Sequence, residues 1–303
     1  MAREWRDAPD AVEPTVLVLG GFLTSPPLYF PLRRRLLERG AAHVVIAPVW
    51  LPDGLIAASR GVGPILTRSG RALLEACAIA DASARSGGAP LLVVGHSFGG
   101  VTARLLTSPE PFAGQRLGAA RRMGAIVTLG TPHLVTSTGR AGRRLGTAAL
   151  DFANRVVPGP AFAPTTGYLA VASRNVLSRP DGGPRERFAH VLYHSIHAGA
   201  ELADDVPEGL AGRGIHGDGL VPVASAVLPG VDAIVLDGIA HGQARPGPWY
   251  GSDVALDAWW PRAVDVWRAA LRARLEPPKF DATGPSRVES EVAGWSSGSS
   301  SGS

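Results

Sequence analysis

The chain has 303 residues, 45% of them hydrophobic, and a formal net charge of +4, enough for one large domain with a substantial core. Lys279 is the only lysine among the 30 basic residues, and the arginines are spread along the chain rather than gathered in a stripe, which argues against a nucleic-acid surface and leaves only weak attraction to anionic lipid. The lone Cys77 excludes an intramolecular disulfide, the N-terminal stretch lacks an apolar signal core and no uninterrupted apolar window approaches the ~18 residues of a membrane span, so the default expectation is a cytoplasmic protein with no transmembrane segment.

Residues 15–19 (TVLVL) read as a buried strand that ends in Gly20-Gly21. Residues 29–39 have helical spacing, with Gly40 as a C-terminal stop. Residues 43–47 form a second predicted strand, and residues 63–86 a long helical pattern that carries Cys77. A third strand, Leu91 to Val94, runs into Gly95-His96-Ser97-Phe98-Gly99-Gly100 and then a helical segment. This is the G-x-S-x-G elbow between strand and helix, in which a serine sits on a strained turn with its hydroxyl lifted above the sheet. The glycines remove Cβ atoms where strand and helix come close. Residues 125–129 are a fourth strand, and Gly130-Thr131-Pro132-His133 after it is expected at the rim of the same pocket as the elbow, or simply as a rigid turn that launches the segment that follows.

Residues 137–187 interrupt the alternation and read as a cap or lid inserted after the fourth strand; a peripheral helical excursion without a gating role is the alternative. Residues 189–195 are expected to be a fifth strand, residues 233–236 a sixth, and residues 253–275 a long closing helix with Trp259, Trp260 and Trp267. The folded domain is thus expected to span residues 1–276. Residues 277–303 are polar, rich in Ser and Gly, and expected to be disordered. Strands alternating with helices predict an α/β fold, a mostly parallel sheet covered on both faces, with its site at the carboxyl ends of the strands.

A serine nucleophile needs a base, and the base needs an orienting acid. The candidate base is His241, just after the last predicted strand; His96, His133, His190, His194, His197 and His216 compete. The candidate acid is Asp218, between two glycines, with Asp204, Asp205 and Asp237 as rivals. His96 flanks the serine but should point away from its hydroxyl. The oxyanion donors are the Phe98 N–H, at the start of the new helix, and the Phe22 N–H in the Gly20–Thr24 loop, with Leu23 second. The histidines are scattered, without H-E-x-x-H or paired-cysteine spacing, so neither metal nor cofactor is expected.

These motifs resemble the α/β-hydrolase superfamily, and within it bacterial triacylglycerol lipases and esterases. The likeness rests on VLVLGGF, GHSFGG, TLGTPH and GDGLVPVASA, in that order between residues 15 and 275. Leu19-Gly20-Gly21 stands where many such lipases have a His-Gly pair. The resemblance implies an eight-stranded, mostly parallel sheet. It implies cofactor-free hydrolysis of carboxylic esters of apolar acyl groups, with Ser97 as nucleophile, Asp218 as acid and His241 as base. Phe22 and Phe98 would hold the oxyanion. The expected partner is a small-molecule or lipid ester, with transient contact to a lipid surface. Acyl transfer, thioester cleavage and non-catalytic lipid or partner binding on the same scaffold remain alternatives.

Overall fold

The computed structural model describes residues 5–135, 147–196, 214–244 and 247–276. Six strands build the main sheet: β1 (Thr15–Leu19), β2 (His43–Ile46), β3 (Leu91–His96), β4 (Met123–Leu129), β5 (Gly167–Arg174) and β8 (Ala233–Asp237). Their order is β2-β1-β3-β4-β5-β8, and every neighbouring pair is parallel. A short antiparallel ribbon, β6 (Val176–Leu177) with β7 (His216–Gly217), lies beside it. Among the described residues the main sheet therefore has six strands rather than eight. The architecture is α/β, a parallel sheet flanked by helices, as expected for an α/β-hydrolase fold.

Side-chain alternation on the strands feeds two cores. Val16, Val18, Leu92, Val94, Ala125 and Val127 face α1 (Phe30–Glu38) and α8 (Asp253–Ala273), whose Trp259, Trp260 and Trp267 are buried there. Leu17, Leu19, Leu91, Val93 and Ile126 face α3 (Gly63–Ala82), α4 (Phe98–Thr107) and α5 (Thr147–Val156). Both faces being covered explains why β1, β3 and β4 are continuous apolar runs. The remaining helices are α2 (Leu51–Arg60), α6 (Pro184–Ile196) and the single turn α7 (Val223–Ala226). Cys77 is buried and unpaired, and no described helix is long and apolar enough to cross a membrane.

Two expected elements differ. Residues 189–195 are not a strand but the body of α6. Pro184 occupies its first position, and Glu186 accepts the Gly183 N–H at 2.7 Å, which are helix-start signals. Its buried residues Ala189 and Tyr193 stand four apart, the spacing of a helix face. The fifth strand of the sheet is instead β5, inside the stretch expected to form the cap. Its Leu169–Ala172 core is fully buried and pairs with both β4 and β8. Small alanines dilute its β signal. Residues 137–146 of the expected cap and the tail at 277–303 lie outside the described residues.

What is described before β5 is firmly attached. Arg104 of α4, 2% exposed, donates through Nη2 to the carbonyls of Ala153 (3.2 Å) and Val157 (3.0 Å) at the end of α5. A buried guanidinium thus meets the negative end of a helix dipole in place of a carboxylate. Burial pulls its pKa down to about 10, so it stays charged at neutral pH.

Candidate active site

The chain runs from β1 to β2 on one side, then returns across β1 to place β3 on the other. That reversal opens a crevice at the carboxyl ends of β1 and β3, where open parallel sheets bind ligands. The loop after β1 carries Phe22, and the turn after β3 carries Ser97. Asp218 follows β7, and His241 follows β8.

Ser97 has φ 54° and ψ −127°, a conformation disfavoured for any residue with a side chain. It is held by its own N–H, which donates to the Leu129 carbonyl at 2.8 Å. The turn is tight enough that a Cβ at Gly99 would stand 2.1 Å from the Leu19 carbonyl oxygen. Phe98 is the first residue of α4, so its N–H has no acceptor within the helix.

Ser97, His241 and Asp218 come together. His241 Nε2 lies 2.9 Å from Ser97 Oγ, and His241 Nδ1 lies 2.7 Å from Asp218 Oδ2. The His241 N–H also donates to the Asp218 carbonyl at 3.1 Å. Asp218 is fully buried, and four donors meet its carboxylate. The N–H groups of Leu220 (2.9 Å) and Val221 (2.8 Å) donate to Oδ1; His241 and the Tyr250 hydroxyl (3.0 Å) meet Oδ2. Burial alone would raise the Asp218 pKa, but the neighbouring His241 and the two backbone donors outweigh it and hold the carboxyl below its ordinary value. Burial, then Asp218, pushes the Tyr250 hydroxyl well up, so it remains a donor. Gly130, with φ 55°, makes room for this acid, since a Cβ there would stand 2.6 Å from Asp218 Oδ2. The turn after β4, read from sequence as a rigid launch point, therefore also shapes the acid's seat.

The described rivals are placed elsewhere. Asp237 is the exposed last residue of β8, while Asp204, Asp205 and His197 lie outside the described residues. His133 is buried between Thr128 (3.2 Å) and Arg104 (3.5 Å). His190 and His194 neighbour each other on α6, with ring centroids 4.0 Å apart, and His216 belongs to β7. His96 is buried and turned away from the serine hydroxyl, as expected, toward Tyr29 and the His241 carbonyl.

Of the candidate oxyanion loop, Gly21 N–H is already committed to the Tyr29 hydroxyl at 2.8 Å. The Leu23 nitrogen lies against α2, where a Cβ on Gly54 would approach it to 3.0 Å. Phe22 packs edge-on against Phe98, with centroids 5.8 Å apart. Sequence reasoning missed the support of Tyr250 and Tyr29; a single tyrosine in a loop or at the end of a 3₁₀ turn carries no periodic signal. Among the described residues no group of three or more His, Cys, Asp or Glu side chains is arranged to hold a metal ion.

No family model matches this chain, and no curated protein does. Among solved structures, esterase 2 of Thermogutta terrifontis phosphoramylated by tabun aligns with a TM-score of 0.45 at 12% identity, covering 87% of this chain and 84% of that one. The native form of the same esterase gives 0.45 at 11% identity, covering 89% and 86%. Its butyrate-bound form gives 0.43 at 13%, covering 89% and 87%. At these values the likeness bears on neither activity nor substrate.

Proposed function

We propose that the protein is a serine hydrolase that cleaves carboxylic esters of apolar acyl groups, small-molecule or lipid, through an acyl-enzyme on Ser97. The observation that carries this reading is the unbroken contact from Ser97 Oγ through His241 to the buried Asp218, at 2.9 and 2.7 Å. His241 Nε2 takes the serine proton as Oγ attacks the acyl carbonyl. The tetrahedral oxyanion lies toward the Phe98 and Phe22 N–H groups. As it collapses, His241 returns the proton to the departing alcohol. A water, deprotonated by the same nitrogen, then attacks the acyl carbon and frees Ser97. Asp218 accepts from Nδ1, which keeps Nε2 free as the base and stabilises the imidazolium that forms.

Phe22, edge-on to Phe98, and Leu23, 45% exposed beside it, supply apolar surface for the acyl chain. Within the expected cap, α5 is tied to α4 through Arg104. The test is hydrolysis of p-nitrophenyl esters from acetate to palmitate by wild type and Ser97→Ala. Loss of at least ~10³ in kcat in the variant is expected. A well-folded wild type without turnover on any of them sinks the proposal.

A further inference from the structure

Two loops that must cooperate in this reaction, one holding the base and one offering an oxyanion donor, are joined by a buried chain of hydrogen bonds. His96 Nε2 lies 2.6 Å from the His241 main-chain carbonyl, and His96 Nδ1 lies 2.9 Å from the Tyr29 hydroxyl. That hydroxyl accepts the Gly21 N–H at 2.8 Å, and Thr24 Oγ1 donates to the Gly21 carbonyl at 2.7 Å. Every proton has one arrangement. A carbonyl only accepts, so Nε2 carries the hydrogen of the neutral ring and Nδ1 is the acceptor. Tyr29 then donates to Nδ1, in preference to Thr24 Oγ1 at 3.3 Å, and uses a lone pair for Gly21.

Trp249 stands edge-on over both rings, at 5.7 Å from His96 and 6.1 Å from Tyr29. Burial first, and the neighbouring His241 second, bring the His96 pKa down to about 3. The ring thus stays neutral when His241, 5.0 Å away between centroids, takes up the serine proton. With both nitrogens committed, His96 has none left for Ser97.

We propose that His96 is a positioning residue, which fixes the backbone of the base through one ring nitrogen and the oxyanion loop, by way of Tyr29, through the other. The inference rests on the hydrolase reading above. The His241 backbone is then clamped on both sides, its N–H by the Asp218 carbonyl and its C=O by His96. Gly21 is clamped likewise, by Tyr29 and Thr24, which aims the following Phe22 amide.

The test compares kcat and KM for p-nitrophenyl butyrate in wild type, Ser97→Ala, Tyr29→Phe, His96→Phe, His96→Gln and the Tyr29→Phe/His96→Phe double variant, each with its thermal midpoint. Loss of the clamp lowers kcat about ten- to a hundredfold in His96→Phe and Tyr29→Phe, because sub-ångström displacement of a reacting group is enough. KM changes little, since no substrate contact is removed. The double variant falls by less than the product of the two single losses, because both act through one chain. A glutamine amide reaches the position of Nε2, so His96→Gln recovers most of the lost kcat.

Wild-type kcat in His96→Phe, additive losses in the double variant, or a glutamine no better than phenylalanine each overturn the proposal. If His96→Phe does not fold, Tyr29→Phe and His96→Gln decide by the same criteria. An inactive wild type overturns the hydrolase reading and this one together. An active wild type with inactive Ser97→Ala and unimpaired His96 and Tyr29 variants overturns this one alone.

Discussion

Replacing Asp218 by Asn changes one atom and reverses the logic of the site. The carboxylate receives two backbone N–H groups on Oδ1, and His241 and Tyr250 on Oδ2. An asparagine must keep its oxygen toward the Leu220 and Val221 N–H groups, since turning its NH₂ there sets donor against donor. Its NH₂ then faces His241 Nδ1. The imidazole answers by moving its own hydrogen to Nε2, the nitrogen 2.9 Å from Ser97 Oγ. A base that already carries a proton on that nitrogen cannot take one from the serine. The expected loss is about 10⁴ in kcat, or roughly 5 kcal/mol of transition-state stabilisation. KM and the thermal midpoint move little by comparison, because the packing and most hydrogen bonds survive. Asp237→Asn, at the exposed end of β8, is the control and should match wild type. The assay is p-nitrophenyl butyrate turnover at pH 8, with circular dichroism to establish folding. A folded Asp218→Asn protein that keeps a tenth of wild-type kcat, or an Asp237→Asn protein that loses its activity, would refute the tautomer argument and the choice of acid.

Two further predictions concern the groups around this centre. Tyr250→Phe removes one charge-assisted donor from a fully buried carboxylate and should lower stability by about 1.5–3 kcal/mol in urea unfolding. Its kcat loss should be much smaller than that of Asp218→Asn, and an equal loss would mean that Tyr250 acts in the chemistry itself. The second is a pH dependence of stability. His96 has an ordinary value of 6.5 and sits near 3 in the folded protein, so between those values only the unfolded chain binds its proton. The stabilisation is complete above pH 6.5, and falls with pH by about 1.4 kcal/mol per unit until it is gone near 3. His133 is lowered in the same direction by burial and by Arg104 and contributes its own slope in every variant. Between pH 7.5 and 5, urea unfolding free energies should therefore fall about 2 kcal/mol further in wild type than in His96→Gln, measured at pH 7.5, 6 and 5. Parallel curves would show that His96 is not buried as a neutral ring.

The clearest strands in the sequence, β1, β3 and β4, are those whose burial on both faces demands an unbroken apolar run. Residues 15–19, 91–94 and 125–129 meet that demand chiefly with Val, Leu and Ile, while β2 and β8 were legible from their Val and Ile runs though only partly buried. The two errors share a cause. In β5 the buried positions include Ala170 and Ala172, small residues that are weak as a strand signal; Ala172 packs with Val221, Val223 and Ala226, on the face away from α8. In α6 the β-formers Val191 and Tyr193 face different ways, Val191 60% exposed and Tyr193 buried, so composition spoke for a strand where spacing spoke for a helix. Length compounded the error, because a 13-residue helix holds a seven-residue window that reads as a strand. The site survived both mistakes. Asp218 depends on following the ribbon beside β5 and on preceding β8, and neither relation changes when the preceding element turns from strand to helix.

Chain order and residue type were enough to single out Ser97, His241 and Asp218, which the fold brings together, because each proposed role admits few side chains and each residue sits at a strand's carboxyl end. The groups that hold them obey no such restriction. Tyr29 ends a 3₁₀ turn 67 residues before its partner His96, and Tyr250 lies 32 residues after Asp218. What selects them is geometry that exists only after folding: a buried lone pair that must meet a donor. A carboxylate as enclosed as Asp218 needs all four of its donors, and an imidazole as enclosed as His96 needs both a donor and an acceptor. The fold therefore dictates that polar partners stand at these points, while leaving open which part of the chain supplies them. The same condition ties the oxyanion loop to the base. Once His96 is buried behind the nucleophile with its two nitrogens facing opposite loops, neither loop can shift without leaving one of them unpaired.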